Sequence, residues 1–321
     1  MATPNLSEII TTTLRNRTGK LADNVTDNNA LLYRLKQRGK VKPASGGRTI
    51  VQELEYAENS TGMWYSGYET LNVGASDVIT AAEFDWKQYA VAVTISGLEQ
   101  LQNAGTNKII DLLEARISNA ETTMMNAIAA GVYADGTGSG GKEIGGLQLL
   151  VADSTSSGSV GGIDQATYTW WKNYTRDSSD NSVTLSATTI QSEWNTVYAN
   201  LVRGQDRPDL IIVDNTNWLY YLSSLQTIQR ISNSSMGEAG FTNLKFMDAD
   251  VVLDGGQGGN APAGTYFLNT KYIHYRPHSD RNMVPLGGER MNTTQDAIVK
   301  LIGWAGNMTL SNAMLQGVLQ V

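Results

Sequence analysis

The stretch NKIIDLLEARISNAETTMMNAIAAG, from Asn107 to Gly131, carries the strongest helical signal in the chain. Its apolar residues recur at steps of three or four, which places them on one face of an α-helix. They are Ile109, Leu113, Ile117, Ala120, Met124 and Ile128. At 1.5 Å per residue the predicted helix is about 37 Å long, and Gly131 is a typical C-terminal stop.

Upstream of this helix, the sequence predicts a long β-hairpin. Residues 48–58 and 83–95 are rich in β-branched and aromatic residues and read as strands. Ser96 and Glu99 then have the spacing of a capping box that starts a short helix. Because an isolated two-stranded ribbon is marginal in water, we expect the hairpin to lie on its own body or on a neighbouring copy.

Downstream of the helix, strands and helices alternate, which indicates an α/β insert. Residues 147–175 read as strands with long loops, and 188–203 as a helix. A short buried strand over 208–214 and a helix over 217–226 follow. The remainder reads as closing strands, over residues 265–277, 296–310 and 313–321.

Charge is unevenly distributed along the chain. Residues 1–48 hold nine Lys or Arg and three acids, which gives a net charge of +6. Because the whole chain has a net charge of −7, residues 49–321 have a net charge of −13. A basic arm of this kind either meets an anionic partner such as nucleic acid or is an ordinary solvated helix face. A short amphipathic helix is predicted around Asn28–Arg38, and the basic arm residues are Arg34, Lys36, Arg38, Lys40 and Lys42.

Composition excludes several classes of site. The chain of 321 residues has no cysteine and only two histidines, so disulfides and thiolate metal sites are excluded. No apolar run approaches the roughly 20 residues that a membrane span requires. The first residues lack the layout of a signal peptide.

The motifs typical of catalytic or binding sites are incomplete in this sequence. Gly136–Lys142 nearly spells a phosphate-binding loop, but Glu143 replaces the hydroxyl residue and a helix, not a strand, precedes it. Pro277 opposes a helix that would bring His274 and His278 to one metal. Asp248, Asp250 and Asp254 lie close together in the sequence, but their spacing lacks the full oxygen-rich loop of a known calcium site. We expect no catalytic, cofactor-binding or metal-binding residues.

An aromatic cluster over Trp170–Tyr174 leaves two interpretations open. Its aromatic residues alternate with Lys172 and Arg176, which is typical of a stacking platform for single-stranded nucleic acid or sugar. The same pattern also fits a segment that packs one aromatic face into the insert.

The order and spacing of these segments resemble the major capsid proteins of tailed bacteriophages, which have the Hong Kong 97-type fold. The segments that carry the resemblance are Val93–Gly97, Asn126–Gly131, Glu143–Gly146, Thr169–Asn173 and Arg207–Val213. The resemblance implies an α+β fold with five parts. They are an N-terminal arm (1–47), an E-loop hairpin (48–95), a P-domain spine helix (96–141), an A-domain (142–260) and P-domain closing strands (261–321).

By this resemblance, the chain is a structural protein without enzymatic activity that self-assembles into the icosahedral shell around a double-stranded DNA phage genome. Expected partners are other copies in hexamers and pentamers, scaffold and portal proteins, a cement protein and, non-specifically, packaged DNA. The expected location is the virion capsid, assembled in the host cytoplasm, with no membrane contact and no cofactor. The expected inter-subunit contacts of the hairpin are Met63, Trp64, Tyr65 and Tyr68.

Other functions stay open at this point. An encapsulin-like compartment shares the fold but encloses a protein cargo. A nucleic-acid or carbohydrate-binding module would use the Trp170–Tyr174 cluster, and an enzyme would have to use the Gly136–Lys142 loop.

Overall fold

A computed structural model describes residues 29–102, 112–177, 183–225, 243–254, 261–286, 290–291 and 296–320. The helices are α1 (Ala30–Gln37), α2 (Gly97–Gln102), α3 (Leu112–Gly131), α4 (Ile190–Leu201) and α5 (Asn215–Ser224). Short helical turns cover Gly138–Gly141 and Leu147–Leu150, and a 3₁₀ turn covers Thr169–Trp171. None of the helices in these ranges combines the length and apolar character that a bilayer crossing demands.

Within the described residues, the strands form two main sheets and two small ribbons. In chain order they are β1 (Ile50–Glu55), β2 (Ile79–Phe84), β3 (Lys87–Ser96), β4 (Ser159–Val160), β5 (Ile163–Asp164), β6 (Tyr174–Arg176), β7 (Leu210–Val213), β8 (Asn243–Phe246), β9 (Ala249–Leu253), β10 (Thr265–Leu268), β11 (Ile273–Pro277), β12 (Val284–Pro285), β13 (Arg290–Met291), β14 (Ala297–Leu310) and β15 (Gly317–Leu319).

The long hairpin is present. Strands β1 and β2 pair antiparallel, with Ile50 opposite Phe84 and Glu55 opposite Ile79, so residues 56–78 form its loop, which we call the hairpin loop. The single strand predicted over 83–95 is wrong, because the chain leaves the ribbon at Asp85 and continues as β3 in another sheet.

The first main sheet is built on β14. Strand β3 pairs with it over its length, from Ser96 opposite Ala297 to Lys87 opposite Gly306. Strands β11, β12 and β13 also pair with β14. The capping box is confirmed where β3 ends: the Glu99 carboxylate accepts from the Ser96 N–H at 3.1 Å, and the Glu99 N–H donates to Ser96 Oγ at 3.3 Å.

The predicted long helix corresponds to α3, which ends at Gly131 as expected. Three residues of its predicted apolar face, Ala120, Met124 and Ile128, are buried in the main core. The same core holds Leu31, Leu32 and Leu35 of α1. Ile109 and the first residues of the predicted helix lie outside the described residues.

The second main sheet has the strand order β6-β15-β10-β7-β9-β8. It contains β10 and β15, so strand pairing does not follow the expected division at residue 261. The single strand predicted over 265–277 is wrong: a turn over Asn269–Tyr272 breaks it, and its two halves join different sheets. In that turn the Asn269 side chain accepts from the Lys271 N–H at 3.2 Å, as is typical of an Asx turn.

The segment 147–175 has less strand than the sequence predicts. It contains a helical turn, the two-residue strands β4 and β5, a 3₁₀ turn and the start of β6. These short elements lie against the base of the hairpin, where the Glu83 N–H donates to the Gly161 carbonyl at 2.9 Å.

Candidate inter-subunit surfaces

The base of the hairpin is fixed to the body by one buried face. Ile50, Leu54, Ala82 and Phe84 are nearly inaccessible to solvent. This alternation of buried and exposed residues is what a ribbon with one face on a core requires. The base is therefore a rigid support for whatever the loop contacts.

Two contacts with the 158–171 segment set the position of this base. Gly161 has φ +59°, and a Cβ there would lie 2.7 Å from the Cβ of Ala82, so only glycine fits without a shift. The ring of Tyr56 stacks on that of Trp170, with centroids 5.2 Å apart. The sequence gives no signal for either contact, because more than 70 residues separate the partners in each case.

The hairpin loop presents large apolar side chains to solvent. The four residues predicted to contact a neighbour, Met63, Trp64, Tyr65 and Tyr68, are all exposed, and Trp64 and Tyr68 are completely so. Leu71 and Val73, which were not among the predicted contacts, are exposed as well. Clustered apolar exposure of this kind marks an interaction surface.

The structure corrects the interpretation of part of the basic arm. Arg34 is buried, with its guanidinium 3.2 Å from carboxylate oxygens of both Asp209 and Asp250. Arg38 also reaches Asp209, at 3.3 Å. A solvated face is thus the wrong interpretation for Arg34, because helix amphipathicity alone does not reveal acids that are 175 and more residues away.

Residues 40–44 of the arm run along the edge of the first sheet. Val41 and Ala44 form parallel bridges to Tyr275 and His278 of the β11 edge. The Lys42 N–H donates to the Tyr275 carbonyl at 2.9 Å, while the side chains of Lys36 and Lys42 are exposed and that of Lys40 is half-buried. The described part of the arm is an integral part of the body.

The start of α1 is bound to α3 and to the end of β9 in the second sheet. The Asn29 side chain donates to the Ala129 carbonyl of α3 at 3.0 Å. The Asp254 carboxylate accepts from the Ala30 N–H at 3.1 Å and from the Tyr133 hydroxyl. Burial raises the pKa of the Asp254 carboxyl, although these two hydrogen bonds act in the opposite direction.

The Trp170–Tyr174 cluster packs inward. Trp171 is buried and donates its indole N–H to the Val160 carbonyl at 3.0 Å, and Trp170 is covered by Tyr56. Arg176, which alternates with these rings in the sequence, pairs with Glu193 at 2.5 Å. The rings do not form an open row on which successive bases or sugars could stack.

The residues considered for metal binding are either paired with other side chains or packed into the fold. Asp250 pairs with Arg34 and Asp248 with Arg207, at 3.2 and 2.6 Å. His274 is buried, and His278 lies against Trp86 with ring centroids 5.1 Å apart. Within the described residues, no three His, Asp or Glu side chains are grouped so that they could hold a metal ion.

The glycine-rich loop does not have the surroundings of a phosphate-binding loop. It follows α3, and no strand leads into it. The Glu143 carboxylate lies against Gly138 within the loop, where it would repel phosphate. Lys142 is exposed at the end of the loop.

Comparison with known proteins shows similarity only at the level of structure. No family model and no curated protein matches the sequence. The fold is similar to a chain of the cyanophage A-1(L) capsid asymmetric unit, with a TM-score of 0.67 and 15% identity over 94% of each chain. It is also similar to the capsid of a native GTA particle, with a TM-score of 0.58 and 12% identity over 94% of this chain and 91% of that one.

A third similar structure is the satellite phage P4 procapsid that includes the size determination (Sid) protein, with a TM-score of 0.51 and 10% identity. That alignment covers 100% of this chain and 92% of the other. The shared architecture extends over nearly the whole length of each protein, which confirms the α+β class predicted from the sequence. The chain has the fold of phage capsid proteins, the Hong Kong 97-type fold that the order of its segments predicted.

Proposed function

We propose that this chain is the major subunit of an icosahedral shell that encloses a double-stranded DNA phage genome. The observation that carries the proposal is the combination of a capsid fold over 94% of the chain with a projecting loop whose aromatic side chains are exposed. A closed shell repeats the same contact many times, so weak contacts between copies suffice for a stable assembly.

The proposed partners follow from this role. Copies associate with one another in hexamers and pentamers, and scaffold, portal and cement proteins act on the assembling shell. Packaged DNA is contacted without sequence preference, and the exposed Lys36 and Lys42 support this part of the proposal. Assembly takes place in the host cytoplasm, the mature location is the virion, and the subunit has no enzymatic activity.

The proposed domains keep the order inferred from the sequence. The two main sheets support a P-domain around β14 and an A-domain around β7. Strands β10 and β15 pair with β7 and β6, which supports their assignment to the A-domain sheet. Along the chain, the proposed parts are the arm (1–47), the hairpin (48–95), the spine segment (96–141), the A-domain segment (142–260) and the closing segment (261–321). The closing segment contributes β14 to the P-domain and β10 and β15 to the A-domain sheet.

Truncation of the hairpin loop tests the function. Replacing residues 60–78 with a short Gly-Ser turn removes no buried residue, because the buried base lies outside this range. We expect an unchanged circular dichroism spectrum and the loss of stable shells, since the apolar area that the loop buries on a neighbour contributes about 25 cal/mol per Å². Intact shells from the truncated protein would contradict this role of the loop.

A further inference from the structure

Positive charge is concentrated on two segments that meet at the edge of the first sheet. Residues 36–48 hold five Lys or Arg and no acid, and residues 271–281 hold three Lys or Arg and one acid. Their net charges are +5 and +2, although the whole chain has a net charge of −7. We call this surface the basic edge, and its cations are Lys36, Arg38, Lys40, Lys42, Arg48, Lys271, Arg276 and Arg281.

The two segments lie side by side along β11. Val41 forms a parallel bridge to Tyr275. The Tyr275 N–H donates to the Lys40 carbonyl at 3.1 Å, and the Lys42 N–H donates to the Tyr275 carbonyl at 2.9 Å. Because alternate residues of an extended chain point to the same side, the side chains of Lys40 and Lys42 lie on one face of the basic edge.

The charge of the basic edge is only partly neutralised. Two of its cations have carboxylate partners, and these pairs are Arg38–Asp209, at 3.3 Å, and Lys271–Asp206, at 2.8 Å. Among the described residues, no ion pair involves Lys40, Lys42 or Arg48. Burial and the neighbouring charge of Lys42 lower the pKa of the Lys40 ammonium. An anion at this position would therefore relieve repulsion between like charges.

The basic edge has the composition of a surface that binds a polyanion. Large apolar side chains are exposed elsewhere on the described surface, but none of them lies in residues 36–48 or 271–281. The centre of a protein–protein interface is typically apolar and poor in charged residues. Binding to a phosphate backbone instead depends on Lys and Arg and needs no apolar contact. The composition therefore favours nucleic acid over a protein partner.

We propose that the basic edge contacts the phosphate backbone of the packaged double-stranded DNA, with Lys40 and Lys42 as its central contacts. The β11 edge consequently faces the inside of the shell. This inference rests on the proposed function, because a closed shell is what holds a genome against one face of the subunit. Residues outside the two segments have a net charge of −14, so the DNA contact is confined to this surface.

Site-specific photocrosslinking in DNA-filled particles tests this assignment. Benzoylphenylalanine replaces Lys42 in one variant and, in the matched control, Lys142, which is also exposed but lies on the glycine-rich loop. After irradiation and disruption of the particles, we expect a nuclease-sensitive adduct between subunit and DNA from the Lys42 variant and none from the control. An adduct with another protein in place of DNA, or no adduct at all, would overturn the proposal.

Binding of a short labelled duplex of random sequence to subunits before assembly gives a second readout. The variant Lys40→Gln/Lys42→Gln should lower the slope of log affinity against log salt by about two, because each phosphate contact contributes about 0.9. The control Lys142→Gln/Lys172→Gln loses the same charge from side chains of matched exposure and should keep the wild-type slope. Both variants should keep the wild-type circular dichroism spectrum.

The outcomes separate the DNA contact from the function on which it rests. Equal salt slopes in the two double variants would overturn the role of the basic edge, even if both proteins form normal shells. Failure of the wild-type protein to form shells would instead count against the proposed function itself.

Discussion

Arg34 on the arm helix lies 3.2 Å from Asp209, the residue just before β7, and both side chains are largely buried. The same guanidinium lies 3.2 Å from Asp250 at the start of β9. One arginine thus compensates two carboxylates that are far from it in sequence. This ion cluster fastens the arm to the second sheet.

Removal of this arginine should be costly. We expect Arg34→Ala to lower the free energy of unfolding by about 3–5 kcal/mol, because it removes an ion-pair partner from each of two buried carboxylates and leaves Arg38 as the cation beside Asp209. Lys36→Ala, two residues along the same helix but exposed, should change it by less than about 0.5 kcal/mol. Urea denaturation of both variants measures the difference, and equal stabilities would contradict the buried ion cluster.

His274 should make the fold sensitive to acid. Burial, with contributions from Arg276, Lys40 and Lys42, lowers the pKa of His274 from 6.5 to about 4. Between these values the unfolded chain binds more protons than the folded one, so the free energy of unfolding falls as pH is lowered from 6.5 toward 4. The contribution is present in full above pH 6.5.

The matched pair His274→Gln and His278→Gln tests this pH dependence. Denaturant titrations across the window should show a smaller acid-induced loss of stability for His274→Gln than for the wild type. His278→Gln should keep the wild-type slope. An unchanged slope in His274→Gln would show that other groups account for the acid sensitivity.

Substitutions of two adjacent glycines at the hairpin base allow the cost of backbone strain to be measured apart from the cost of a steric clash. Gly162 has φ +76° with open space around its Cβ position, so Gly162→Ala should cost only about 1–2 kcal/mol of conformational strain. Gly161→Ala adds a 2.7 Å approach to Ala82, which costs roughly 1–3 kcal/mol more. Thermal unfolding should rank the variants in this order, and the reverse order would argue against close packing of the hairpin base.

The shell should be held together without covalent links. In some members of this fold, a hairpin lysine forms an isopeptide bond with an asparagine of a neighbour. Residues 49–86 contain no lysine, and the chain has no cysteine. Particles boiled in detergent should therefore run as a single monomer band, and a ladder of multimers on the gel would refute this prediction.

The sequence predicted those elements whose signals are local. The apolar repeat of α3, the Ser96–Glu99 capping box and the strand patterns of the hairpin each involve residues that are close together in the chain. The order of these elements was enough to identify the fold. The order of the elements also pointed to the four residues of the hairpin loop that are exposed, because a segment that projects from the body keeps its apolar side chains in solvent.

Long-range pairing was less accessible to sequence reasoning. The run from Thr265 to Pro277 is apolar enough to read as one strand, and only Asn269 and Thr270 hint at the turn that splits it. The burial of Arg34 depends on Asp209 and Asp250, which no local pattern connects to it. A cavity lined by Lys87 and Lys142 likewise forms only where α3, β3 and the glycine-rich loop meet.

Electron microscopy of the purified protein tests the central claim most directly. One sample contains the chain expressed alone, and a second contains the chain co-expressed with the proposed scaffold protein. The account predicts closed shells hundreds of Å across in at least one sample, formed without added metal or nucleotide. A protein that remains a monomer or a small oligomer in both samples would contradict it.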